Sequence, residues 1–227
     1  MELSVCSSRP GRCSFLQQPF DRADRKHGQS HKSKMATLTF IVGGARSGKS
    51  NYAERLAAQS GQRVMYVATA QPLDEEMRSR ISGHQSKRPA DWQTRELSSG
   101  VGRQFLAEPV EADVVLVDCL TLLVSNLVLK ASADLDEPDV SAATVLVQSE
   151  IKELLEAIHS SAARWLVISN EVGQGLVPPY PVGRIYRDLL GWANQRLAQE
   201  ADEVIWMVAG IPVPVGQYRS GDHQTGE

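Results

Sequence analysis

Eight consecutive residues, Gly43-Gly44-Ala45-Arg46-Ser47-Gly48-Lys49-Ser50, constrain this chain more than any others. They fit the spacing Gly-x-x-x-x-Gly-Lys-Ser/Thr. The apolar run Leu38–Val42 leads into them and reads as a buried strand, while Asn51–Ala57 after them reads as a helix. Gly43 and Gly48 let the backbone turn tightly, so that consecutive N–H groups can point at phosphate oxygens. The helix N-terminus adds partial positive charge. Lys49 can reach terminal phosphates, and the Ser50 hydroxyl can ligate magnesium. A strand–loop–helix of this kind reads as a phosphate-binding P-loop; the alternative is a plain glycine turn between a strand and a helix.

The rest of the chain suits one domain built around that loop. Apolar runs recur at Leu38–Val42, Val64–Ala68, Val114–Val117, Trp165–Ser169 and Val204–Val208, with helical patterns at Ser50–Gln59, Ser149–His159 and Arg184–Glu200. Strands alternating with helices predict an α/β fold of the P-loop NTPase type, a mostly parallel sheet with helices on both faces. Ala131–Val140, with three Asp and one Glu, reads as a surface loop. The chain has 227 residues, 42% of them hydrophobic, enough for one sizeable core. No apolar run is long enough to span a membrane. A net charge of −3 gives no sign of a nucleic-acid surface. Cys6, Cys13 and Cys119 form no framework or metal spacing, which fits a reduced, cytoplasmic compartment.

Residues 1–34 differ in character. Seven basic residues (Arg9, Arg12, Arg22, Arg25, Lys26, Lys32 and Lys34) stand against Glu2, Asp21 and Asp24, with no helical or strand period. There is no secretory apolar core, and the acidic residues weigh against a transit peptide. The expectation is a disordered or artefactual extension before a true start at Met35, then a catalytic domain over 35–215 and a loose tail over 216–227.

Candidate chemistry follows the strand ends, where sheets of this kind bind ligands. Val114–Val117 followed by Asp118 has the form of a Walker B strand. Asp118 can hold magnesium beside Ser50, or cap the helix that starts near Leu120. Thr69, after Val67-Ala68, can line a nucleotide site or close an ordinary turn. Glu171 in Asn170-Glu171-Val172-Gly173 can be a base, a ligand or a capping carboxylate. His84 sits in a polar, glycine-flanked stretch with Lys87 and Arg88, which can neutralise phosphates. It reads as a nucleophile or acid–base group, or as a solvated loop histidine. The guanine-specific Asn-Lys-x-Asp is absent, against a GTPase of the translation-factor type.

Together these blocks resemble the bifunctional adenosylcobinamide kinase / adenosylcobinamide-phosphate guanylyltransferase family of cobalamin synthesis. The resemblance runs from Thr37 to about Pro214. Its most specific parts are His84 to Trp92 and Asn170–Gly173, supported by Val67–Ala70, Val117–Thr121, Arg187-Asp188, Asn194-Gln195, Ala201-Asp202 and Ala209–Pro212. It implies phosphorylation of the aminopropanol arm of adenosylcobinamide by ATP or GTP. GMP then passes from GTP to that phosphate through a covalent histidine, which His84 matches. It also implies a nucleotide site of Gly43 to Ser50, Ala68, Thr69, Ala70, Gln85, Ser86, Lys87, Arg88, Glu96 and Asp118, and a homotrimer. Three positions depart from common family patterns: Gly83 where some members have a second histidine, Asp118 where some have Glu, and Trp192 where an arginine is common. A kinase with a merely structural His84, or a nucleotide-controlled switch, are the alternatives.

Overall fold

The computed structural model of this chain describes residues 37–60, 63–72, 75, 78, 83, 88–109, 111–132 and 134–216. The extension over 1–34, the tail beyond 216, and His84, Gln85, Ser86 and Lys87 lie outside the described residues.

All five apolar runs form strands: β1 (Thr37–Gly43), β2 (Val64–Ala68), β4 (Val114–Asp118), β5 (Arg164–Asn170) and β6 (Glu203–Val208). Two more complete the sheet, β3 (Gln93–Glu96) and β7 (Ile211–Pro214). The order is β3-β2-β4-β5-β1-β6-β7, with every neighbouring pair parallel except β6 with β7. Five helices are described: α1 (Lys49–Gln59), α2 (Val101–Ala107), α3 (Leu120–Ala131), α4 (Val140–Ser160) and α5 (Pro181–Glu200). β1 lies between β5 and β6, so the P-loop emerges from the interior of the sheet.

Strand side chains alternate between two cores. Val114 and Leu116 of β4 join Ile41, Leu166 and Ile205 beneath Ala53 and Ala57 of α1. Val115 and Val117 join Phe40, Trp165 and Val167 beneath α2, α3, α4 and α5. Burial of both faces explains why β1, β2, β4 and β5 read as continuous apolar runs rather than alternating ones.

Two contacts fix α2 against α4. The Glu150 carboxylate accepts from the N–H groups of Gly100 and Val101 at 2.6 and 2.7 Å, satisfying donors at the start of α2 that no local side chain caps. A Cβ on Gly102 would fall into the backbone of Glu153 and Leu154, so the helices meet there through glycine. At the other edge, Ala209 (φ 49°) and Gly210 (φ 83°) form the two-residue turn between β6 and β7.

Candidate active site

The C-terminal ends of the parallel strands surround a cavity of about 640 Å³. Ala45 to Ser50 line it after β1, Ala68 at the end of β2 with Ala70 beyond it, and Glu96, Asp118 and Asn170 at the ends of β3, β4 and β5. This is where an open parallel sheet binds ligands.

The loop geometry suits an anion. Gly48 occupies the N-cap of α1 in the left-handed region, φ 92°, and no side chain caps the helix. The first-turn N–H groups are therefore left for a ligand in the cavity. Arg46 also has positive φ, 56°, an uncommon conformation for a residue with a Cβ. The loop is braced from two sides: the Glu171 N–H donates to the Gly43 carbonyl at 3.0 Å, and the Gly210 N–H donates to the Ser47 carbonyl at 3.0 Å. Lys49 is buried, and its ammonium donates to the Gly44 carbonyl at 2.7 Å. Desolvation lowers its pKa, while Cys119 and Asp118 act in the opposite direction. An incoming phosphate would exchange a carbonyl dipole for a full negative charge at that ammonium, which favours binding.

Charge around the cavity is asymmetric. Arg46, Lys49, Arg78 and Arg88 line it, against Glu96 and Asp118. Such a surface fits a polyphosphate chain whose charge the two carboxylates do not already match. Asp118 does not cap α3. Its Oδ2 accepts from the Tyr66 hydroxyl at 2.6 Å, and the α3 N-cap is Cys119, without a side-chain cap. The Cys119 thiol is pushed up to about 11 by burial and by the Asp118 carboxylate, which makes it a poor nucleophile at neutral pH.

A family model described as cobinamide kinase / cobinamide phosphate guanyltransferase matches residues 39–215, a span that contains the whole cavity. The chain belongs to this family. The cobinamide kinase / cobinamide phosphate guanyltransferase assignment agrees with three curated relatives, each named a bifunctional adenosylcobalamin biosynthesis protein. CobP of Pseudomonas aeruginosa is 42% identical over 175 residues, covering 77% of this chain and 95% of that protein. CobU of Salmonella typhimurium is 39% identical over 180 residues, covering 78% of this chain and 99% of that protein, and CobU of Escherichia coli has the same figures. A solved RadB recombinase is 16% identical with a TM-score of 0.43, covering 76% of this chain and 74% of that one, a likeness too distant to assign any site.

For a cobinamide kinase / cobinamide phosphate guanyltransferase, the cavity gathers Ala45, Arg46, Ser47, Gly48, Lys49 and Ser50 with Ala68, Ala70, Arg88, Glu96 and Asp118. Gly43 and Gly44 are not among the residues that line it. Of the two roles open to Thr69, the structure shows the one that closes a turn. The residue is fully buried and does not line the cavity; its hydroxyl donates to the Cys119 carbonyl at 2.7 Å and accepts from the Cys119 N–H at 2.8 Å. Thr69 thus joins the end of β2 to the turn after β4, setting Ala68 and Ala70 in place. Glu171 Oε1 accepts from the Gly173 N–H at 2.8 Å within its own loop, and Glu171 is not among the residues that line the cavity.

Several residues of the site have a role that the sequence does not assign, although Thr121 and Asn194 fall in blocks of the family resemblance. Thr121 Oγ1 accepts from the Asn170 N–H at 2.7 Å. Asn194 of α5 accepts from Ser169 Oγ at 2.6 Å and donates to the Asn170 carbonyl at 3.0 Å, fixing the end of β5. Tyr66 and Arg78 line the cavity as well. Tyr66 reads as core in an apolar run, and only its tertiary contacts with Asp118 and Arg88 show more. The turn at Gly210 was visible as a family block, but its bond to the P-loop is a tertiary fact.

Proposed function

We propose that this chain phosphorylates the aminopropanol hydroxyl of adenosylcobinamide with ATP or GTP, and then transfers GMP from GTP onto that phosphate through His84, giving adenosylcobinamide-GDP and pyrophosphate. The observation that carries this reading is the cavity itself. In a chain of this family, an uncapped helix N-terminus, four cations and the oxygen donors of Ser50 and Asp118 face one space.

In the kinase step the N–H groups before and within α1 would hold the nucleotide phosphates, and Lys49 would offset charge on the transferring group. In the guanylyl step a neutral imidazole nitrogen of His84 attacks the α-phosphorus of GTP. The P–O bond to the β-phosphate breaks and pyrophosphate leaves. A phosphate oxygen of the corrinoid then attacks the same phosphorus, the P–N bond breaks and the imidazole is restored, so that one difficult transfer becomes two. His84 is four residues along the chain from Arg88, which lines the cavity, and four residues reach at most about 14 Å. Gln85, Ser86 and Lys87 would complete the nucleotide site beside it.

Magnesium fits the donors present. Ser50 and Asp118 offer hard oxygens at one cavity, and the described residues hold no cluster of three or more His, Cys, Asp or Glu able to cage a metal by themselves. That is the pattern of an ion which keeps waters and substrate phosphates as its other ligands. When bound, it would neutralise charge on the phosphate oxygens.

Incubation with adenosylcobinamide, GTP and magnesium tests the reading. The wild type should yield the GDP-linked product. Lys49→Ala should slow phosphorylation by about 100- to 1000-fold. His84→Ala should stop at the phosphate while keeping kinase turnover. A monophosphate from the wild type would leave only the kinase, and normal phosphorylation by Lys49→Ala would overturn the P-loop role.

The remaining assignments rest on the resemblance and on composition: a cytoplasmic enzyme, a homotrimer, and a catalytic domain over 35–215 flanked by an extension and a tail. No helix among the described residues is long and apolar enough to cross a membrane. Light scattering checks the trimer. Deleting residues 1–34 should leave product formation unchanged, because that segment has too few apolar residues to join a core. A large loss of activity would place it in the enzyme proper.

A further inference from the structure

We propose that Tyr66 is a positioning residue that holds two charged groups of the nucleotide site at once, orienting Asp118 through its hydroxyl and Arg88 through its ring. The proposal rests on the nucleotide-site reading above and extends it to a residue with no assigned role. Tyr66 lies in the middle of β2, only 2% exposed. β2 pairs in parallel with β4 so that Tyr66 stands opposite Leu116 and Ala68 opposite Asp118. Tyr66 is therefore diagonal to Asp118, a separation an aromatic side chain can span. Its hydroxyl donates to Asp118 Oδ2 at 2.6 Å. On the ring, the Arg88 guanidinium carbon sits 3.6 Å from the centroid. Trp92 stacks on the same tyrosine at 6.5 Å between centroids, 30° between planes.

The chemistry of each contact differs, and that difference separates two functions. A carboxylate free to rotate would lose entropy on meeting a cation; one already held by a charge-assisted hydrogen bond loses less. The bond therefore prepares Asp118 for magnesium. Stacking holds a guanidinium without using its N–H donors, so they remain available for phosphate oxygens. Arg88 Nε is buried with no hydrogen-bond partner in the structure, and Arg88 lines the cavity. A phenylalanine would fill the same apolar space and hold the arginine. Only tyrosine does both.

Full-length Tyr66→Phe, Tyr66→Leu, Arg88→Leu and the double variant Tyr66→Leu/Arg88→Leu separate the two halves. GTP affinity is measured by calorimetry with and without magnesium, together with KM, kcat and Tm. In Tyr66→Phe the magnesium-free affinity should be unchanged, while the gain in affinity on adding magnesium should shrink about tenfold. In Tyr66→Leu the magnesium-free affinity should also fall, by about 3- to 30-fold, to the level of Arg88→Leu, with the double variant no weaker than either single one. A purely structural tyrosine would lower Tm and weaken both affinities by one common factor in Tyr66→Phe. That result, or a Phe variant with an undiminished magnesium gain, overturns the proposal. If Tyr66→Leu does not fold, the Phe comparison still decides. Additive losses in the double variant would refute the stacking half. These binding measurements do not depend on corrinoid turnover, so a wild type that makes no GDP-linked product would refute the proposed function and leave the Tyr66 result readable.

Discussion

Gly43 and Gly44 are neighbours in the loop after β1, but their surroundings differ. A Cβ on Gly43 would lie 2.5 Å from the Met207 carbonyl oxygen and 2.9 Å from Ser47 Oγ. The carbonyl belongs to β6 and cannot swing aside. A Cβ on Gly44 would meet no heavy atom within 4 Å. We expect Gly43→Ala to lose about 2 kcal/mol or more of stability, and Gly44→Ala to stay within about 0.5 kcal/mol of wild type. Denaturant unfolding of the two variants checks this; equal stability would contradict it. The motif makes position 43 a glycine, yet the reason lies in a strand more than 160 residues later. The same limit governs the rest of the site. Lys49, Ser50 and Asp118 are legible because a motif or a strand end marks them. Thr69 and Glu171 carry the same polar character at strand ends but are spent on backbone bonds. A sequence shows that a polar residue follows a strand; it does not show which partner the fold brings to it.

At the scale of elements, burial decides what could be read. The central strands β1, β2, β4 and β5, covered on both faces, are plain as apolar runs, and β6 reads the same way although it exposes Trp206 and Val208. β3, Gln93-Thr94-Arg95-Glu96, is an edge strand with three exposed positions and gives no hydrophobic signal. β7 carries Pro212 and Pro214, which an antiparallel edge tolerates but which mask a strand. α4 begins at Val140, nine residues before the stretch that looked helical. Its first turns expose Val140 and Val145, blurring the period, although Asp139 Oδ1 accepts from the Ala142 N–H at 2.9 Å as an N-cap should. α2 has seven residues and takes its cap from Glu150, about 50 residues away. Such a helix depends on its partner. Glu150→Ala leaves two N–H groups without their carboxylate and should cost about 2–3 kcal/mol, lowering Tm by about 5–10 °C. Hydrogen exchange should rise first in Val101–Ala107, with nucleotide affinity unchanged, since α2 contributes nothing to the cavity wall. Wild-type Tm in that variant would mean that the cap does not hold the helix.

In the molecule as a whole, one sheet places five strand ends around one cavity, and family membership gives the chain two transfers to perform. A kinase needs only positioning and charge neutralisation there. Guanylyl transfer through the protein needs a nucleophile as well. Cys119, with its thiol pushed up to about 11, is poorly suited to that role, and His84 is the residue the family resemblance brings forward. The most direct test is the mass of the intact protein after incubation with GTP and magnesium alone, followed by fragmentation to locate any adduct. We expect one guanylyl group, bound at His84 through an acid-labile, base-stable P–N bond, released on adding adenosylcobinamide phosphate and absent from His84→Ala. An unmodified wild-type protein, or a His84→Ala variant that still forms the GDP-linked product at the normal rate, would contradict it.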